Sequence, residues 1–233
     1  MPATAPRRTA NRRAFLGATA ATLLTSATAV ASAAPARNRP AAPRPRNADQ
    51  ALARLTEGNR RWARIASVHP HEDHARRIEL AHDQDPFAIV LSCIDSRVPP
   101  ELIYDQGLGD LLVVRTAGEV LDEAVLGSIQ YGVGHLHIPL VVVLGHERCG
   151  AVGAAIEQLR TGEEAPGYLA RLVEGIGPSA WACRDEPGDW VDHTVSKHAT
   201  RMRNTLRADA AFRPATVVAA RYDLDSGLVR VLP

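Results

Sequence analysis

Three short apolar runs dominate the middle of the chain: Phe87-Ala88-Ile89-Val90-Leu91, Leu111-Leu112-Val113-Val114 and Leu140-Val141-Val142-Val143-Leu144. They are continuous rather than alternating and rich in β-branched residues, the pattern of strands buried on both faces in a parallel sheet. Between the last two, Asp122–Val133 has a helical pattern, with Asp122 as a capping residue and glycines at 132 and 134 as a stop. Upstream, Leu52, Leu55, Trp62 and Ile65 recur at helical spacing over Ala48–Ala66, and a polar helix is expected over Glu72–His82. Downstream, Ala151–Leu159 and Thr194–Leu206 read as helices, and Gly175–Gly188, rich in Gly and Pro, as a loop. Thr216–Ala220 and Leu228–Val231 read as late strands flanking a hairpin turn at Asp225-Ser226-Gly227. Strand and helix alternate, so the expected class is α/β. The expected architecture is a mostly parallel central sheet of about four parallel strands plus an antiparallel C-terminal edge strand, flanked by helices, with an N-terminal helical arm.

The pattern of residues 1–47 is different. Arg12-Arg13 precedes an uncharged Ala/Thr/Leu/Val stretch that reaches Ala34 and closes on Ala31-Ser32-Ala33, small residues suited to a signal peptidase. Residues 1–34 are therefore expected to be a twin-arginine (Tat) export signal read by the Tat machinery, placing the protein outside the cytoplasm. An uncleaved membrane anchor is the alternative, but the abundant Ala, Thr and Ser make a weak spanning helix, so no stable anchor is expected. Residues 35–47 are rich in Pro and Arg without apolar period, the composition of a linker. The remaining domain, 48–233, is the catalytic candidate.

Charge sharpens this division. The chain of 233 residues has a formal net charge of +1, yet its first 47 residues hold eight arginines and no acid, which leaves the remainder at −7. An acidic domain in a chain with only 4% aromatics has neither the basic patch nor the stacking platform of a nucleic-acid binder.

Two motifs fall directly after apolar runs, at the carboxyl ends of strands where open α/β sheets bind ligands. In Cys93-Ile94-Asp95-Ser96-Arg97, extended backbone would point Cys93 and Asp95 to one side and Ile94 into packing. In His146-Glu147-Arg148-Cys149-Gly150, a three-residue spacing at a helix start would put His146 and Cys149 on one face. Two cysteines and a histidine suit Zn²⁺, and three protein ligands leave a fourth position open, as in catalytic zinc sites. Cys93 alone reads equally well as a buried thiol. A redox pair lacks a C-x-x-C motif, and Cys183 has no partner at ligand spacing.

The sequence C-I-D-S-R followed by G-H-E-R-C-G-A resembles the β-class carbonic anhydrases. Gly58-Asn59, Val114-Arg115-Thr116-Ala117-Gly118 and Tyr222-Asp223-Leu224-Asp225-Ser226-Gly227 extend the likeness from Ala48 to the end. The resemblance implies reversible hydration of CO2 to bicarbonate and a proton by zinc-bound hydroxide, with one zinc per chain held by Cys93, His146 and Cys149. Zinc brings the pKa of its water to about 7, a magnitude measured on carbonic anhydrase itself. It further implies an Asp95–Arg97 dyad, the carboxylate orienting the water and taking its proton, or in a closed form swinging onto the metal as fourth ligand. Gln84 would donate to a substrate oxygen, Tyr131 would help wall the site, and His135 would relay protons. Family sites form between subunits, so a homodimer or homotetramer is expected.

One family pocket for non-catalytic bicarbonate combines a tryptophan, an arginine and a tyrosine. Arg115 and Tyr222 match the last two, but Val90 stands at the tryptophan position, which counts against such a pocket here. Two rival readings remain: a hydrolase of carbonyl sulfide (COS) or carbon disulfide (CS2) on the same scaffold, and a non-enzymatic zinc protein. The second has no use for an acid–base dyad beside its metal.

Overall fold

The computed structural model describes residues 43–233. The expected export signal and most of the linker lie outside these residues. Five strands form one sheet in the order β2-β1-β3-β4-β5: β1 (Ala88–Cys93), β2 (Leu111–Thr116), β3 (Leu140–His146), β4 (Thr216–Tyr222) and β5 (Val229–Val231). β1 runs parallel to β2 and β3, and β3 parallel to β4, while β5 closes antiparallel on β4. The expected architecture is thus the observed one.

The period of two along each strand assigns the core to two layers. Val90, Val142 and Leu144 face a cluster completed by Leu55, Val152, Ile176 and Ala180. Ile89, Leu91, Val141 and Val143 face the other side, against Val125, Ile129, Ala199, Met202 and Leu206. The helices that supply these residues are α1 (Ala48–Ala63), α4 (Glu123–Gly134), α5 (Gly150–Thr161), α6 (Leu169–Ala182) and α7 (Trp190–Ala208). Two short helices, α2 (His74–Glu79) and α3 (Pro100–Ile103), link them.

Caps explain most boundaries. Asn47, Asp73, Asp122 and Asp189 each accept a backbone N–H in the first turn of the helix they precede. α2 is shorter than expected: it buries no side chain, so no apolar face extends it beyond the turn its cap starts. The largest departure is α6, which occupies half of the segment expected to be loop. Gly175, Gly177 and Pro178 all lie inside it. A side chain at Gly175 would sit 2.8 Å from Val120 Cγ1, so the glycine allows close packing. Val173, Ile176 and Ala180 bury the same face, and tertiary burial outweighs the breakers.

α1 is fastened across the sequence. A Cβ at Gly58 would overlap Tyr104 O, and Asn59 beside it donates to Ile103 O (3.1 Å) and Gly227 O (2.8 Å) while accepting from Val229 N (2.8 Å). Just ahead of α1, the end of the Pro/Arg-rich stretch lies on the domain: Arg44 donates to the carbonyls of Asp85 (2.9 Å) and Pro86 (2.8 Å).

Candidate metal centre

β1 and β3 are neighbours, so the residues at their carboxyl ends, Cys93 and His146, emerge side by side. Cys149 reaches the same place differently from the sequence expectation. His146 and Cys149 share no helix face: the first ends β3, the second is the N-cap of α5, and a turn between them reverses the chain. Arg148 makes the turn in the left-handed region (φ 50°). Its guanidinium holds Asp225 (2.7 and 3.0 Å), and Glu147 accepts from Leu224 N (3.0 Å), tying the turn to the C-terminal hairpin.

The result is a buried trio, Cys93, His146 and Cys149, whose ligand atoms all lie within 4.8 Å of one another. The two sulfurs are 3.9 Å apart, close to the ~3.8 Å that two Zn–S bonds of 2.3 Å at a tetrahedral angle require. His146 Nδ1 donates to Glu147 O (2.9 Å), which fixes the tautomer and leaves the Nε2 lone pair facing the sulfurs. That Nε2 is buried and has no hydrogen-bond partner. A buried acceptor without a donor is costly unless a cation completes it, so the donor set fits zinc. The Cys93 thiol is pushed down, first by its hydrogen bond with Cys149 and further by His146 and Gly118 N–H, against the opposing effect of burial. Cys149 is pushed up by Cys93 and by burial, so Cys93 ionises first.

Asp95 stands over this trio, with Oδ2 3.9 Å from His146 Nε2. Arg97 grips it through Nε to Oδ1 (2.9 Å), Nη2 to Oδ2 (2.7 Å) and its backbone N–H to Oδ1 (2.9 Å). The Arg97 hydrogen bonds hold the carboxyl down at about 2. Ile94 is not in packing as expected; it is 59% exposed. The backbone leaves strand geometry after Cys93, so the alternation on which that expectation rested ends there. Ile94 borders a mainly apolar cleft of about 570 Å³ that opens on Cys93 and Asp95 and is walled by Ala117, Ala151, Ala154, Leu172 and Val173.

Other expected residues lie elsewhere. Gln84 precedes β1 and lines a polar cavity with Arg44, His71 and Asp110, beyond the amino ends of the strands. Tyr131 and His135 stack (ring centroids 5.0 Å) at the end of α4, shortly before β3 begins. Gln84 is thus separated from the trio of its own chain by the length of β1, roughly 20 Å at 3.3 Å per residue, while Tyr131 lies along the outer face of β2 beside Val113 and Val114. Arg115 and Tyr222 form no common pocket: two strands lie between them. Arg115 donates to the carbonyls of Cys93 (2.9 Å) and Asp95 (2.6 Å), shaping the backbone that carries both. The Tyr222 hydroxyl accepts from Trp62 Nε1 (3.0 Å).

The turn Ala117–Glu119 adds two groups to which the sequence assigns no role. Gly118 N–H points at Cys93 Sγ (3.3 Å). Glu119 is buried with its carboxyl raised well above the ordinary range, by desolvation and then by the charge of Cys93. Gly118 closes the quoted likeness Val114–Gly118, but nothing in the spacing marks Glu119.

A carbonic anhydrase family model matches residues 88–229. Carbonic anhydrase 2 of Mycobacterium tuberculosis is 42% identical over 180 residues, covering 74% of this chain and 87% of its own. The β-carbonic anhydrase CafA of Aspergillus fumigatus superposes with a TM-score of 0.59 at 26% identity, covering 79% of this chain and 89% of its own. Two tetrameric β-carbonic anhydrases of Sordaria macrospora are represented by a chain at TM-score 0.60 and 20% identity, covering 78% of this chain and 96% of its own.

Proposed function

The chain belongs to the β-class carbonic anhydrases, zinc enzymes of the reversible hydration of CO2, and from that premise we propose how its residues divide the work. Cys93, His146 and Cys149 hold the metal. When bound, zinc supplies a Lewis acid that brings the ionisation of water toward neutral pH. Two thiolates and a neutral imidazole balance its charge, and the tautomer fixed by Glu147 O aims His146 Nε2 inward.

Asp95 orients the attacking water by accepting its hydrogen bond. A carboxylate held at about 2 by Arg97 is ionised at neutral pH, so it accepts that hydrogen bond rather than donating one. Arg97 holds that carboxylate in place and ionised. Arg115 fixes the carbonyls on either side of Ile94, so Cys93 and Asp95 keep one relative position. The apolar cleft receives CO2, a molecule without charge, and the alanines of its wall keep it wide enough at Cys93.

The observation that carries this reading is the buried trio with an arginine-held carboxylate 3.9 Å from His146 Nε2. Stopped-flow hydration of CO2 with zinc quantified tests it. Turnover should scale with zinc content and fall at least about 100-fold in Asp95→Asn with zinc retained. Faster turnover of COS or CS2 than of CO2 in the same assay would reassign the substrate.

Gln84, Tyr131 and His135 serve the centre of a neighbouring copy in a homo-oligomer, Gln84 donating to a substrate oxygen, Tyr131 walling the site and His135 passing protons outward. Two features support this: the tetrameric state named for the Sordaria macrospora proteins, and the edge strand β2, half-buried along its whole length although its residues are mostly apolar. The protein is exported as a Tat cargo, a reading supported by Arg12-Arg13 ahead of an uncharged stretch. Arg12→Lys with Arg13→Lys should retain it in the cytoplasm on fractionation; unimpaired export would remove this reading.

A further inference from the structure

We propose that His198 is a positioning residue of the metal centre: it clamps Gly118 from behind, so that the Gly118 N–H stays directed at the Cys93 sulfur. The proposal rests on Cys93 being a zinc ligand.

His198 lies in α7 and is buried, and its ring bridges α6 to the turn behind Cys93. Nε2 is 2.8 Å from Gly118 O and Nδ1 is 3.3 Å from Ser179 Oγ. A carbonyl only accepts, so Nε2 carries the proton; Nδ1 is then the acceptor, and the Ser179 hydroxyl donates to it. The order is forced from end to end: Ser179 O–H to His198, His198 N–H to Gly118 O, and Gly118 N–H to Cys93 Sγ at 3.3 Å. Burial lowers His198 to about 4, so the ring stays neutral and keeps this single tautomer at the pH of catalysis.

The turn needs such a clamp. Gly118 (φ 66°) and Glu119 (φ 49°) are consecutive left-handed residues, and the second has a side chain, which makes the conformation strained. A Cβ at Gly118 would lie 2.7 Å from Ile176 Cδ1 and 3.1 Å from Ala151 Cβ, so packing confines the turn on one side. His198 holds the carbonyl on the other. With the carbonyl held by His198 and the Cα confined by Ile176 and Ala151, turning the N–H away from the sulfur means changing φ of Gly118 against both restraints. A donor to a metal-bound sulfur draws electron density from it, which tunes both metal affinity and the acidity the metal confers.

The test compares reach. In His198→Gln the amide nitrogen extends to the place of Nε2 and can donate to Gly118 O; in His198→Asn it stops short. The purified zinc proteins are assayed for zinc transfer to a chromogenic chelator, and the cobalt(II)-substituted proteins for the thiolate-to-metal charge-transfer band. His198→Gln should match the wild type within about twofold, while His198→Asn should release zinc about tenfold faster with a shifted band. If Gln and Asn behave alike, the clamp is wrong. Should His198→Asn fail to fold, Ser179→Ala decides: it leaves the ring packed and Nε2 committed to Gly118 O, but removes the hydroxyl that orients the ring from α6. A band shifted in the same direction with about twofold faster release supports the clamp, and wild-type values overturn it. Failure of the parent reading shows separately, as a wild-type protein that takes up no zinc.

Discussion

The two ends of the sheet are built by different rules. At the carboxyl end, Cys93, His146, Cys149 and Asp95 are buried or mostly so, and each is held by a named partner: Gly118, Glu147, the start of α5 and Arg97. At the amino end, Gln84 is exposed in a loop, and along β2 Tyr131 is 48% exposed beside His135. Metal ligation tolerates errors of a fraction of an ångström, so its groups belong on adjacent strand ends, where register fixes them. Donors and proton carriers tolerate more, and they can be supplied by a surface that a second copy brings.

Breaking the carboxyl end should have the largest effect. Cys149→Ser removes one of two thiolates and leaves the rest of a buried site uncompensated. Zinc content and thermal midpoint should fall together, and CO2 hydration by about 1000-fold. A purified variant that keeps one zinc per chain would take Cys149 out of the centre. Arg97→Ala should instead retain zinc while hydration falls about 100-fold, because only the hold on Asp95 is lost. Loss of zinc from that variant would show that the dyad supports the metal itself.

The buried end should also be the first to suffer from acid. His198 is lowered from 6.5 to about 4 by burial, with the bond to Gly118 O opposing. Between these values the unfolded chain binds a proton that the folded one refuses, so stability rises with pH. The contribution is fully present above about 6.5 and is lost as pH falls toward 4, by on the order of 3 kcal/mol at most. Thermal midpoints from pH 7 to 4 should therefore drop more steeply in the wild type than in His198→Gln, and parallel slopes would count against a buried neutral imidazole.

The mildest test sharpens the division itself. Gln84→Ala should lower hydration about tenfold, the worth of one donor. Mixed in one oligomer with Cys149→Ser, it should regain activity beyond the sum of the two, because the zinc-free chain lends its Gln84 to the zinc-bearing one. Simple additivity would mean that Gln84 serves its own chain.

The carboxyl end was largely legible in the sequence. Continuous β-branched runs announce buried parallel strands, and chemistry-bearing residues directly after them mark strand ends. What was illegible has physical causes. His146 and Cys149 looked like neighbours on a helix because spacing does not show a left-handed residue at Arg148. α6 is hidden because Gly175 and Pro178 are breakers in isolation, whereas in the fold Gly175 lets the helix close on Val120 and Val173, Ile176 and Ala180 bury its face. His198 gave no signal because its partners, Ser179 and Gly118, lie 19 and 80 positions away. The exposure of Ile94 follows from the strand ending one residue earlier.

The bonds made by Asn59 set a timetable. Its partners Gly227 and Val229 are 168 and 170 positions further along the chain. Translation adds about 5–20 residues per second, so α1 waits roughly 10 to 30 seconds for them. During that interval α1 can pack on Phe87 and Ile103, but the Asn59 carboxamide lacks its C-terminal partners, and the nascent chain is exposed to chaperones and to its own neighbours on the polysome. The early helix is thus among the last parts to be sealed, and a substitution at Asn59 should lower the yield of soluble protein more than the activity of the molecules that do complete the fold.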